Sequence, residues 1–454
     1  MSQSIRAILG FAIVAAGLVL VGVSQSPNVM LAIFNLCLIS AIMALGVNIQ
    51  WGYAGLFNVG IMGFAALGGV AAVLVSREPV MSAWQAGGGG IMLSGLVALI
   101  VIGVCTLIAR KMPSGWLKTV AMIVAVFGGY LLIRMVYDPA VSAIEADNPA
   151  KSGFLGGLGL PILFSWIAGG LFAAGIAWFI GKIALGLRSD YLAIATLGIS
   201  EILIAIMKNE EWLTRGVKGV TGLSRPVPYE LELQESEKFI QWVEWFYASQ
   251  LSGLAGDDRL NQLRQLTVEG SSLFVKLCYS GLFLAVLLFV LILCVLALAS
   301  PWGRMVRAIR DNEVSAAAMG KNITKRHLQI FILGSAVVGI AGAMLTTMDG
   351  LFFPTSYQPL RYTFLIWVMV IVGGSGNNLG AVLGAFIVWY IWSVAEPAGN
   401  WLMDTLTGFL NDDDPVRVHL MNSAQHMRLF IMGVVMLLVM RFSPSGLLPE
   451  RNTK

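Results

Sequence analysis

Charge is scarce in this chain. Of 454 residues, 29 are Lys or Arg and 25 are Asp or Glu, together 12%. Soluble domains carry about 25%. Histidine occurs three times and cysteine four times. Cys37, Cys105, Cys278 and Cys294 each sit alone in apolar sequence with no C-x-x-C pair, which excludes a disulfide framework and a cysteine zinc site. No H-E-x-x-H and no G-x-x-x-x-G-K-[ST] phosphate loop is present. The chain therefore has no nucleotide-hydrolysing motif of its own, and no metal, cofactor or catalytic residue is expected. These absences exclude an ordinary soluble enzyme, a disordered protein and a nucleic-acid binder.

What is abundant is apolar. Hydrophobic residues make up 57%, and the mean hydropathy is +0.80. A bilayer span needs roughly 20 apolar residues, so the chain has material for about ten to twelve. The runs are continuous, not alternating, which excludes a β-barrel. The expected fold class is an all-α polytopic integral membrane protein.

Spanning-length segments lie near 7–23, 29–49, 56–76, 91–109, 119–137, 160–181, 190–207, 271–299, 328–348 and 427–441. Two shorter ones, 362–373 and 381–395, read as half-helices or a re-entrant hairpin, tolerated where protein or a water-filled cavity covers the backbone. The first run follows Arg6 and reads as a transmembrane helix, not a cleaved signal. The chain divides into helices 1–207 with an added hairpin near 91–137, a polar insertion 208–270, and helices 271–454.

Loop charges are one-sided. Loop 301–327 holds Arg304, Arg307, Arg310, Lys321, Lys325 and Arg326 against Asp311 and Glu313. Arg110, Lys111 and Lys118, and Lys182 with Arg188, fall on the same side. The opposite loops are acidic: Asp138, Glu145 and Asp147 against Lys151; Glu396, Asp404 and Asp412 to Asp414 against Arg417; and ten acids to seven bases over 208–270. The positive-inside rule makes the basic side cytoplasmic. Both termini then fall inside, in agreement with Arg441, Arg451 and Lys454. Within the insertion, Phe239, Trp242, Val243 and Phe246 have helical spacing, which predicts an amphipathic helix over 229–247 outside the cytoplasm.

The cytoplasmic loop is the most informative segment. Pro301 and Gly303 end the preceding span. Glu313, Ala316, Ala317 and Gly320 follow at i, i+3, i+4 and i+7, a small flat helical face that permits close approach by another protein. Arg304, Arg307 and Arg310 add a cationic row. This segment resembles the ATPase-docking loop of ABC-importer permeases, where Glu-Ala-Ala…Gly marks the coupling helix. Gly303 through Thr324, then Gly339-Ile340-Ala341-Gly342-Ala343, resembles the branched-chain amino-acid permeases more narrowly. So do Trp51 to Gly60, Asp190 to Gly198 with Glu201, Thr221-Gly222-Leu223, and Gly373 to Gly380. The mid-chain signature is similar to the LivM-like half of the pair. Val314-Ser315 departs from the docking pattern, and 85–160 and 225–270 are longer than the family needs.

The resemblance implies an ABC-importer permease fold in a bacterial inner membrane. It also implies a second, related permease in a heterodimer, two cytoplasmic ATPase subunits and an extracytoplasmic solute-binding protein. The expected coupling residues are Arg304, Arg307, Arg310, Glu313, Ala316, Ala317 and Gly320. The physics adds a path. Asn48, Gly52, Gly55, Asn58, Gly60 and Gly63 form a small, polar stripe in apolar sequence, where helices touch or the chain unwinds. Thr196 and Glu201 lie inside an apolar run, where an acid needs a partner or water. With Gly373, Gly374 and Gly376 they complete the candidate translocation residues. Arg134 is expected to snorkel, and Asp349 and Arg361 to gate or be solvated at outer span ends. The expected cargo is a branched-chain or hydrophobic amino acid. Alternatives are urea or short amides, an ion-coupled secondary transporter using Glu201, or a purely structural membrane subunit.

Overall fold

The computed structural model describes residues 3–148, 153–254, 256–411 and 414–450. Lys151, Asp412, Asp413, Arg451 and Lys454, whose charges entered the sidedness argument, lie outside them. The long helices are α1 (Gln3–Ser24), α2 (Pro27–Val47), α3 (Ile61–Ser76), α4 (Gly89–Lys111), α5 (Trp116–Ala146), α6 (Leu163–Ala184) and α7 (Ser189–Asn209). After the insertion helix α8 (Glu237–Phe246) come α9 (Gly256–Ala299), α10 (Pro301–Asp311), α11 (Glu313–Ala318) and α12 (Ile323–Asp349). The chain closes with α13 (Pro359–Gly373), α14 (Asn378–Thr407), α15 (Pro415–Ser423) and α16 (Met427–Phe442). Among the described residues, nine helices are long and apolar enough to cross a bilayer. The α15–α16 pair, bent by 56°, could supply a tenth. The chain is a polytopic all-α membrane protein.

Of the two segments expected to be short, 362–373 is short, within the 15-residue α13, but 381–395 is not. The run 381–395 belongs to the 30-residue α14, which passes straight through Glu396 and Pro397. The hydropathy falls at Glu396, but that carboxylate meets Arg428 of α16 at 2.5 Å, so the helix can keep its acid. The run 56–76, expected to span, is helical only from Ile61. At about 1.5 Å per residue α3 and α13 reach roughly 22–24 Å, short of a ~30 Å hydrocarbon core. The helix expected to begin at 271 begins at 256 and runs 44 residues.

Small residues decide the packing at the centre. A Cβ on Gly68 of α3 would stand 1.9 Å from the Gly339 carbonyl oxygen of α12, and one on Gly339 would stand 2.4 Å from that of Gly169 in α6. Three helices therefore meet backbone to backbone, the mode that stabilises packing where lipid removes the hydrophobic drive.

Loop contacts sort into two ends. At one, Arg77 donates to the Gly222 carbonyl (2.8 Å), Leu223 N–H to Gly350 (3.1 Å) and Leu155 N–H to Trp212 (3.0 Å). There β1 (Val220–Thr221) pairs antiparallel with β2 (Leu351–Phe352). At the other end Arg310 reaches Glu450, and Leu448 N–H donates to the Gly373 carbonyl. This second end carries loop 301–327.

The added hairpin α4–α5 stands largely outside the bundle, with exposed Leu, Ile and Val on most faces. It is moored through the buried side chains of Ala83, Ile144 and Leu155 and through Trp212, whose indole donates to Tyr137 and Glu210 (2.7 and 2.8 Å). Arg134 does not merely snorkel: it pairs with Asp138 one turn on, at 2.8 Å. Arg361 stacks over Trp392 of α14, 5.1 Å from the ring centre.

Candidate functional site

The site is built around a break between α2 and α3. The end of α2 widens into a π-turn at Asn48–Gly52, a feature that recurs at functional sites. The chain is non-helical from Gly55 (φ +69°) to Gly60. Its polar side chains are fully buried: Asn48, Gln50 and Asn58 expose 1% or less. Buried amides must be satisfied, and here they satisfy one another. The Asn48 amide donates to the Asn378 side-chain oxygen (3.1 Å) and accepts from Gly376 N–H (2.8 Å). The Tyr53 hydroxyl donates to the same Asn378 oxygen. The Asn58 amide donates to Gln50 (2.8 Å), and Gln50 to the Phe331 carbonyl and Ser335 of α12 (both 3.0 Å). Val59 N–H donates to Thr196 of α7 (3.0 Å), and the Trp367 indole of α13 donates to the Asn58 carbonyl (3.0 Å). The rings of Trp51 and Phe57 flank Trp367 at 4.7 and 4.5 Å.

Helices α7, α12 and α13 and the Gly373–Asn378 turn that opens α14 are thereby tied to one segment. Of the sequence candidates, Asn48, Gly52, Asn58, Gly60, Thr196 and Gly376 meet here. Gly52 and Gly60 are obligatory: a Cβ would come within 2.5 Å of the Gly376 nitrogen and 2.4 Å of the Thr196 oxygen, respectively. Gly373 and Gly374 hold the adjoining turn against Gly380 and Leu448. Gly55 lies beside the Arg310 side chain. Glu201 does not join them; it is exposed on α7. Sequence reasoning passed over Gln50, Asn378 and Trp367. Gln50 carried the same signal as Asn48, a polar residue in an apolar run.

Beside this cluster lies a cavity of about 350 Å³ between α2, α12, α13 and the 351–357 segment, within the usual range for small-molecule sites. Met43, Met62, Met348 and Met369 line it with Ile39, Leu345, Leu365 and Ile366. In sequence Met43 lies five residues before Asn48, Met62 four after Asn58, and Met369 two after Trp367. Ser40, Ser356, Tyr357 and the Asp349 carboxylate supply the polar groups. The cavity is thus apolar with one acid.

The coupling candidates are rearranged. Asn312 breaks the segment into α10 and α11, its side chain capping α11 through Ser315 N–H (2.9 Å). The expected shared face stops short: Glu313, Ala316 and Ala317 lie on α11, but Gly320 is past its end, at φ +74°. Ala316 is buried and Ala317 is exposed, and the large exposed apolar residues here are Val314 and Met319. Nor is the cationic row free. Arg304 and Arg307 donate to the carbonyls of Ala299 and Leu298 (3.1 and 3.3 Å), capping α9 as cations do at a helix C-terminus. Arg310 points inward. It donates to the Gly52 carbonyl (2.5 Å) and pairs with Glu450 (2.9 Å) and Asp311 (3.1 Å). Burial pulls its pKa down, but Glu450 and Asp311 outweigh burial and hold it above the ordinary arginine value.

Residues 29–440 match the model of the family described as branched-chain amino acid transport system / permease component. The chain belongs to this family. It is 25% identical over 280 residues to the high-affinity branched-chain amino acid transport system permease protein LivM of Salmonella typhimurium and of Escherichia coli. That match covers 62% of this chain and 56% of either relative. The chain thus spans little more than half the length of these two. It is 26% identical over 412 residues to the probable branched-chain amino acid transport permease protein LivM of Methanocaldococcus jannaschii, covering 90% of both. No solved structure matches. Among this family's permeases the LivM-like half is the one the chain resembles, as its mid-chain signature implied.

Proposed function

We propose that the chain is one transmembrane half of an ATP-driven importer in a bacterial inner membrane, carrying branched-chain or other hydrophobic amino acids. A second, related permease completes the path. A solute-binding protein delivers cargo on the side of the acidic loops, and two ATPase subunits act on the side of loop 301–327. The basic side is then cytoplasmic, and both termini fall there. The similarity to branched-chain amino acid permeases supports the cargo class, as does an apolar, methionine-rich cavity with a single carboxylate to meet an ammonium group.

The observation that carries the mechanism is the Arg310–Gly52 bond. It joins the helix just after α9, on the basic side, to the π-turn that ends α2 and leads into the unwound segment. Movement of α10 would pull directly on the plug of Asn48, Tyr53, Asn58 and Asn378. An element with two arrangements is what alternating access requires, and a discontinuous helix at the path is where transporters place it. The docking surface is better assigned to Val314, Met319 and Glu313 than to the arginine row.

The ion-coupled alternative rested on Glu201, which is exposed on α7 away from the cavity. The apolar lining also speaks against urea as the main cargo. The test is reconstitution with its permease, ATPase and binding-protein partners in vesicles, followed by leucine uptake. Uptake that needs ATP supports the proposal. Uptake that continues without ATP and collapses with the proton gradient refutes it.

A further inference from the structure

Helix α8 lies against the extra length of α9. Phe239 and Val243 are buried with Leu251 and Leu266. A Cβ on Gly270 would stand 3.4 Å from Val243, and the Phe239 and Phe274 rings lie 6.0 Å apart. Glu244 pairs with Arg259 at 2.5 Å on its polar side. So α8 occupies the level of residues 266–274 on α9. The start of α2 marks the same level: Ser272 donates to the Asn28 side chain (2.9 Å) and Lys276 to its carbonyl (3.2 Å). This is where apolar sequence begins on both helices, and hence the membrane boundary.

The face of α9 that α8 covers is also informative. Leu266, Gly270 and Phe274 continue at steps of three and four through Leu277, Gly281, Leu284, Leu288, Ile292 and Val295. Below Phe274 this stripe is exposed. It is aliphatic apart from Gly281, whereas the bundle's packed faces carry Gly68, Gly169 and Gly339. Helix partners in membranes prefer small residues at the contact, so the stripe is a lipid face. Helix α8 thus sits directly above lipid, at the boundary. It exposes Trp242, Trp245 and Phe246 (48%, 74% and 59%), with the Trp242 and Phe246 rings stacked at 5.6 Å. Glu237, Gln241 and Glu244 occupy the other flank. Tryptophan at this level is the residue of the headgroup layer.

We propose that α8 is an interfacial anchor that beds Trp242, Trp245 and Phe246 in the headgroup layer of the leaflet opposite loop 301–327, fixing the depth of α9. The occupant is phospholipid, not a protein partner.

The test uses the full chain, with its four cysteines replaced by alanine or serine, in phosphatidylcholine–phosphatidylglycerol nanodiscs. Trp245→Cys and Glu237→Cys each carry an environment-sensitive fluorophore; both positions are exposed, so folding is not at stake. At 245 the emission shifts blue and lipids spin-labelled near the headgroup quench it. At 237 emission stays water-like and only aqueous iodide quenches. Equal iodide quenching at both positions overturns the proposal. So does a 245 signal that lipid quenches in the isolated chain but not after assembly with its partner permease or binding protein, since a protein then covers the site.

Discussion

The Arg310 guanidinium donates to the Gly52 carbonyl across 258 residues of sequence, at 2.5 Å. It ties the helix after α9 to the π-turn at the end of α2. Replacing it with alanine should leave the spans intact but disconnect the two. In reconstituted importer, Arg310→Ala is expected to keep ATP hydrolysis and lose most uptake. Arg310→Lys, a single donor in place of a fork, should recover only part. Lost charged hydrogen bonds of this kind cost about 1.5–3 kcal/mol each, so a fall in melting temperature accompanies the effect. Uptake and hydrolysis falling together would point to failed docking instead.

Asn378 accepts from both Asn48 and Tyr53 in a buried setting. Asn378→Ala strands two donors, at about 1–3 kcal/mol each. Tyr53→Phe added to it removes one stranded group and should restore part of the stability. Thermal unfolding of the two single variants and the double variant in detergent measures this coupling. Strict additivity would mean that the two side chains do not share the bond.

The glycine contacts predict opposite outcomes for one chemical change. Gly68→Ala places a methyl against the Gly339 carbonyl oxygen and should abolish folded yield by size exclusion. Gly198→Ala, on α7 with nothing within 4 Å, should be neutral or stabilise by roughly 0.5–1 kcal/mol, because alanine loses less backbone entropy in a helix.

Asp349 is the carboxylate of the cavity. Asp349→Asn keeps its shape and removes its charge. Loss of a charge-assisted contact to an ammonium should raise the KM for leucine uptake about tenfold, each 1.4 kcal/mol being tenfold, with little change in maximal rate. Met369→Trp, which fills the cavity, should abolish uptake while preserving assembly. An unchanged KM in Asp349→Asn would move the cargo path elsewhere.

Val314 and Met319 expose 80% and 78% of their surface beside the buried Ala316. Val314→Arg or Met319→Arg should prevent co-purification with the ATPase subunit, whereas Arg304→Ala should leave it intact. The reverse pattern would return the docking role to the cationic row.

Much of this architecture is legible in the sequence. Continuous apolar runs locate the spans because lipid leaves no other place for them. The polar stripe Asn48 to Gly60 marks the break because a buried amide in an apolar run demands an explanation. What the sequence conceals is pairing at long range. Glu396 looks like the end of a span until Arg428 meets it. Arg310 looks solvated until Gly52 and Glu450 meet it. Asn378 looks like an ordinary helix start until Asn48 and Tyr53 reach it. Helical spacing placed Gly320 on a face with Glu313, but spacing cannot tell that Gly320 adopts a left-handed conformation and ends the helix.

The uninterrupted length of α9 has a mechanical consequence. Its 44 residues extend about 66 Å, with roughly 22 Å beyond the apolar part. A rigid rod transmits tilt to its tip. A rotation of about 10° within the bilayer would carry the distal end some 4 Å sideways, on the geometry of a straight helix. A label at Asp257 would therefore read the posture of the membrane core from outside it, like a needle on a dial.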